Sequence, residues 1–304
     1  MFNVKSIVAL LFYFIILSVS AKDMSIRTEP TIDVEDRNLT GIFWEIRYPN
    51  VSPSYLLGTM HTEDQRVTQL SDVIWQRFEQ ADSASFEILM EAGQLLQSVQ
   101  LMFLDSGRSL KDIVANEAHY DILISRLEKR GIPEIALRRL KPWAVMVTVS
   151  MPETKTGEIL DLMLFQQAKL SSKAVYGLES VKEQLGFFDA LTTDEQLILL
   201  EETLNQLEEM PDFFEQLHEL YLKRNLGEML AFYREGLAKS EYTELMDKFH
   251  HGLVSERNSR MLTRMLPRLR EGNAFIAVGA LHLPGEGGLL DLLQQQGYVV
   301  VGVH

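Results

Sequence analysis

Residues Phe275 to Gly288 read FIAVGALHLPGEGG, and residues Tyr55 to Val67 read YLLGTMHTEDQRV. Each stretch is a short apolar run followed by Gly-x-x-His (Gly279 to His282 and Gly58 to His61), a Gly-rich or polar loop, and a helical pattern. Such runs, bounded by turn residues, predict strands. In an open α/β sheet, ligands bind beyond the carboxyl ends of the strands, where glycine lets the backbone turn without a Cβ clash. Two neighbouring strands ending this way direct His61 and His282 into one crevice. A lone Gly-x-x-His is common by chance. Two in matched settings, in a chain with 7 His, point to a functional pair.

Working outward, runs with strand character lie at Gly41 to Tyr48 (GIFWEIRY), Ser54 to Leu57 (SYLL), Ala84 to Leu89 (ASFEIL), Lys173 to Tyr176 (KAVY), Ala274 to Val278 (AFIAV) and Tyr298 to Val303 (YVVVGV). The unbroken apolar character of AFIAV and YVVVGV predicts strands buried on both faces. From about Gly93 to Leu269 the period is mostly helical. The fold expected is therefore α/β, a mixed central β-sheet flanked by helices, with a large helical middle segment at about 93–269. The clearest helical pattern runs from Asp194 to Tyr221, with Leu197, Leu200, Leu204, Leu207, Phe214, Leu217 and Tyr221 on one face. Its acidic residues recur at seven-residue spacing and read as a solvated stripe. Pro211 is expected to break or kink it after Met210.

Composition limits the chemistry. With 29 Lys+Arg against 43 Asp+Glu the formal net charge is −14, which argues against affinity built on nucleic-acid phosphates. Without cysteine, thiolate catalysis, Cys-ligated zinc and iron–sulfur clusters are excluded, and any metal must be held by His, carboxylate or carbonyl groups. At the N-terminus, Lys5 precedes an uncharged apolar run from Ser6 to Val19, with Val19 and Ala21 flanking Ser20. This layout predicts a signal peptide over residues 1–21, with a retained anchor as the alternative, then a flexible segment over 22–39, and a periplasmic or extracellular mature protein. The run is shorter than a membrane-spanning helix, and no later stretch reaches that length, so no membrane-embedded part is expected after cleavage.

Glu87 lies inside the apolar run ASFEIL, where a carboxylate is costly unless it is paired, hydrogen-bonded or bound to a metal. The plain alternative is a half-exposed strand with Glu87 facing water. Taken with His61 and His282 it completes a nitrogen and oxygen set of the kind that holds a divalent transition metal with open positions for water. Such an ion lowers the pKa of bound water to about 7 and yields a hydrolytic nucleophile.

GTMH with its acidic loop, the strand Glu87, KPW at Lys141 to Trp143, YGLES followed by Gln184, Arg257-Asn258 and VGALHLPGEGGLLDLLQQQGY together resemble the TraB/GumN family, which is TIKI-like. The resemblance runs from about Trp44 to Val301. It implies a single TraB/GumN-type α/β domain over residues 40–304, akin to the erythromycin-esterase and ChaN-like group. It also implies a site formed by His61, Glu87 and His282, with Arg257 as polar partner, orienting Glu87 or stabilising an oxyanion. In the TIKI-like relatives the site belongs to a metal-dependent protease favouring manganese or cobalt.

The expectation is thus an exported metal-dependent hydrolase, peptidase-like, acting on a peptide or small-molecule substrate. Its divalent ion would be manganese or cobalt, with zinc as the alternative. Two rivals stand beside it: a metal-free, esterase-like hydrolase in which a histidine is the general base and Glu87 orients it, and a protein that binds haem or a small ligand in the same crevice. Glu179 and Gln184 could approach the site, but LESVKEQL also reads as a helix start capped by Glu179 or Ser180. The glycines of GEGG, Gly285 to Gly288, suit a tight turn. His250 and His251, adjacent on a helix, diverge by about 100° and are poorly placed to share a metal. His119, His218 and His304 have no supporting context.

Overall fold

The computed structural model describes residues 39–152 and 155–303. The expected signal peptide, and the following segment up to residue 38, lie outside that range.

β1 (Phe43–Arg47) and β2 (Ser54–Thr59) pair antiparallel as a hairpin, and helix α1 (Asp72–Gln80) leads from them to β3 (Ser83–Phe86). The helical middle includes α2 (Pro142–Ser150) and α3 (Leu160–Leu170) before β4 (Ala174–Gly177). It continues through α4 (Val181–Ala190), α5 (Thr193–Asn205), α6 (Met210–Leu222), α7 (Thr243–His250) and α8 (Glu256–Glu271) to β5 (Ala274–Gly279). α9 (Leu289–Gln295) and β6 (Val299–Gly302) follow. The six strands form one sheet in the order β4-β3-β5-β2-β1-β6. β2, β3, β4 and β5 run parallel, while β1 is antiparallel to β2 and β6. The fold is the mixed α/β architecture expected. Among the described residues no helix is long and apolar enough to cross a membrane.

This topology sets the site. β5 lies between β2 and β3, and the register places Thr59 opposite Gly279 and Phe86 opposite Ala277. The carboxyl ends of β2, β5 and β3 therefore lie side by side, bringing together the turns that carry His61, His282 and Glu87. All six residues of β5 are buried, as a strand paired on both edges and covered on both faces requires. β6 departs from the same expectation. Among the described residues it is an edge strand paired with β1 alone, and Val299 is 58% exposed.

Two local readings are corrected. The segment from Asp194 to Tyr221 is two helices, with the break at Gln206 to Glu209 rather than after Met210. Pro211 lies in the first turn of α6, where its missing N–H has no intrahelical partner to lose. Gly58 does not turn the chain either, since β2 continues through Thr59. It permits a close approach: a Cβ there would lie 3.1 Å from Ala280 Cα and 3.2 Å from Leu283 Cδ2. The first Gly-x-x-His packs directly on the turn carrying the second. Gly58→Ala is therefore expected to destabilise the protein by about 1–3 kcal/mol. A urea midpoint equal to that of the wild type would show that the 280–283 turn yields freely.

α7 and α8 are joined through a π-helical segment, His251–Ser255, into one helical stretch from Thr243 to Glu271. Such insertions recur at functional sites because they re-aim the residues that follow. Those residues here are Arg257 and Asn258.

Candidate functional site

His61 follows β2 and is almost fully buried. Its Nδ1 lies 2.6 Å from Asp161 Oδ2, and the other carboxylate oxygen, Asp161 Oδ1, accepts a 2.6 Å hydrogen bond from Thr59 Oγ1. Asp161 is in the first turn of α3, buried, and points back at the strand end that carries the histidine. With Nδ1 turned to a carboxylate, the neutral ring carries its proton there and Nε2 is its basic nitrogen.

His282 ends the 3-10 turn Ala280–His282 after β5 and is completely buried. Its Nδ1 is 2.7 Å from Asn258 Oδ1, while Asn258 Nδ2 donates to the Gly287 carbonyl at 2.9 Å. The second bond fixes the amide, so Asn258 Oδ1 accepts and His282 Nδ1 donates. His282 Nε2 is then an acceptor. Among the described residues it has no hydrogen-bond partner, and it lies 3.8 Å from Glu87 Oε1. Burial, reinforced by the nearby Arg257 charge, pushes the imidazole down to about 3, so His282 is neutral at ordinary pH.

β3 ends at Phe86, one residue before Glu87, and the carboxylate turns into the protein instead of facing water. Its Oε1 accepts from the Gly279 N–H at 2.6 Å. Its Oε2 accepts from Gln184 Nε2 at 3.0 Å and from Arg257 Nη2. Burial alone raises a carboxyl pKa, but Arg257 and, after it, the two imidazoles and the Gly279 N–H outweigh that effect and hold Glu87 at about 2. Arg257 also donates through Nε to Glu179 Oε2 at 2.7 Å, and Arg260 Nη1 reaches Glu179 Oε1 at 2.6 Å. The charges thus alternate: Glu87, Arg257 and Glu179, all buried, and then Arg260, which is partly exposed. Arg257 and Asn258 are consecutive on α8 and project about 100° apart. One secures Glu87 and the other His282.

The four residues named from sequence are therefore brought together, but not as a metal site. Among the described residues no group of three or more His, Asp and Glu side chains is placed to hold a metal ion. The donor set explains this. Glu87 is neutralised by a buried guanidinium and its oxygens are taken by three hydrogen bonds, whereas a ligating carboxylate must offer a lone pair and charge to the ion. The expected divalent ion on His61, Glu87 and His282, whether manganese, cobalt or zinc, is overturned. The metal-dependent hydrolase and metalloprotease reading that rested on it falls too. So does the part of the metal-free alternative in which Glu87 orients the base: Asp161 and Asn258 hold the two rings.

Sequence reasoning assigned no role to Asp161, whose only signal, an acid in a helix first turn, has an ordinary explanation in the helix dipole. Asn258 was legible only beside Arg257. Glu179 is not a cap; Ser180 and Glu183 form the capping box, and Glu179 joins the ion-pair network. His119 and His218 lie 3.8 Å from Glu201 and Glu215, outside this cluster, and His251 is exposed. His250 is half-buried beside Tyr233 and close enough for its charge to act on His282. His304 lies outside the described residues. Gly288 is the N-cap residue of α9, in keeping with the turn role read for GEGG.

The model of the TraB/PrgY/gumN family matches residues 42–301. Metalloprotease TIKI2 of Danio rerio is 24% identical, over 88% of this chain and 62% of the relative, and Metalloprotease TIKI1 of Homo sapiens is 24% identical over the same shares. The chain thus spans about three-fifths of the length of these curated relatives. Uncharacterized protein YbaP of Escherichia coli (strain K12) is 23% identical, over 82% of this chain and 91% of the relative. No solved structure gives a significant match.

Proposed function

The chain belongs to the TraB/PrgY/gumN family, and from that premise we propose that it is an exported hydrolase that cleaves an acyl bond without a metal, a histidine of the His61 and His282 pair taking the proton of the attacking water. The observation that carries this reading is the tautomer arrangement. Nδ1 of each ring faces its own acceptor, Asp161 Oδ2 at 2.6 Å for His61 and Asn258 Oδ1 at 2.7 Å for His282, so in the neutral form of either ring the basic position is Nε2. Water loses a proton to an imidazole as it adds to the substrate carbonyl. The imidazolium returns the proton to the leaving amine or alcohol, and acid plus HX are released. Glu87, ionised and held by Arg257, lies near enough to favour the transient imidazolium. Export rests on the pattern of residues 1–21.

The zebrafish and human relatives are named metalloproteases, so a peptide bond is the first substrate to offer; esters are the second, because their leaving groups need less protonation. Chelator-treated protein is assayed on a panel of peptides and of nitrophenyl esters. Activity is expected to survive chelation, and His61→Ala and His282→Gln are each expected to lower kcat/KM by about 10²–10⁴-fold while the protein stays folded by circular dichroism. Activity lost on chelation and restored by a divalent ion would overturn the reading. So would equal activity of wild type and both variants, or a protein inert on the panel that binds haem.

A further inference from the structure

The two Gly-x-x-His motifs are alike in sequence, yet their imidazoles rest on different chemistry, a carboxylate for one and a carboxamide for the other. We infer that Asp161, held by Thr59, is the positioning residue that makes His61 the proton acceptor of the pair, while His282 remains a neutral acceptor that orients the water. The inference rests on the hydrolase reading and assigns roles within it.

Three observations support it. Asp161 is buried with one oxygen on Thr59 Oγ1 and the other 2.6 Å from His61 Nδ1, so its reach and direction are set before any substrate arrives. A carboxylate stabilises the imidazolium that forms when Nε2 takes a proton; the amide oxygen of Asn258 carries no net charge and only fixes the tautomer of His282. The surroundings of the rings differ as well. His61 is 9% exposed and His282 is not exposed at all, and Arg257 acts on His282 in the direction that opposes a second positive charge. The deeper ring is thus suited to accept a hydrogen bond, and the shallower one to accept a proton.

Asp161→Asn tests this. Thr59 keeps the Oδ1 of the new amide, which turns its NH₂ toward His61 Nδ1 and forces that ring into the Nε2–H tautomer. Histidine-selective ¹⁵N–¹H spectra of the free full-length protein should show the His61 signal change tautomer while the His282 signal stays. On any substrate the wild type cleaves, kcat should fall about 10²–10⁴-fold with little change in KM, and Thr59→Val should give a smaller loss of the same kind. An unchanged His61 signal in Asp161→Asn, or a loss confined to KM, would overturn the role of Asp161. A wild type inert on every substrate would instead overturn the hydrolase reading, with the spectra still deciding whether Asp161 sets the tautomer of His61.

Discussion

Arg257→Ala is expected to destabilise the protein by about 3–5 kcal/mol, among the largest effects a single substitution can have here. Arg257 is buried on α8 between two carboxylates that are themselves buried, Glu87 and Glu179. Removing it leaves Glu87 without its guanidinium and Glu179 with Arg260 alone, and both carboxylates are buried. Arg257→Lys should fall between wild type and alanine, since one ammonium cannot match the fork by which the guanidinium serves both acids. Adding Glu87→Gln to Arg257→Ala should recover part of the loss, because the second change removes the uncompensated charge. Urea denaturation at neutral pH measures all four proteins. A loss below about 1 kcal/mol, in the range of solvated surface pairs, would show that water reaches this network.

Acidification is the second large effect. The folded-state pKa of His282, about 3, lies below its ordinary 6.5, so below that ordinary value the unfolded chain takes up a proton that the folded protein refuses. The stability linked to this group is complete above pH 6.5 and is lost progressively as the pH falls toward 3. Glu87, at about 2 against 4.5, adds a loss of the same sign between those values. Glu179 acts the other way: burial, with the Glu87 charge adding to it, outweighs Arg257 and raises its carboxyl, so its contribution is complete at low pH and declines as the pH rises. With one pKa unit worth about 1.4 kcal/mol, His282 and Glu87 together account for a loss of several kcal/mol between pH 7 and pH 4, which Glu179 offsets in part. Urea midpoints through that range should fall steeply, and His282→Gln should flatten the upper part of the slope. A profile identical in wild type and variant would mean that His282 is not held neutral by its surroundings.

The sheet was legible because strands announce themselves locally. All six apolar runs became strands, and the doubled Gly-x-x-His marked two whose carboxyl ends lie side by side. Properties that depend on neighbours were not legible. YVVVGV looks like a central strand, yet it has a single partner, and nothing in its own residues says so. Glu87 was recognised as an acid in an apolar run that needs compensation, and the question was what compensates it. A metal and a guanidinium answer equally well in sequence terms, and the answer lies 170 residues away, at Arg257. Asp161 lies 102 residues from Thr59, and no local signal distinguishes an acid that serves a helix terminus from one that serves a histidine. The motifs located the site; the charge balance within it required the fold.

The central position of β5 has a consequence for the order in which the protein is made. β2 and β3 emerge early, but the strand that must pair between them, and whose Gly279 N–H engages Glu87 across a separation of 192 residues, follows the whole helical segment. Contacts of such range close slowly, and until they close the facing edges of β2 and β3 are unpaired. Glu87, His61 and Asp161 are all synthesised before the strand that brings them into one site. The site is thus a late product of folding, and a nascent chain still waiting for β5 exposes two unpaired strand edges.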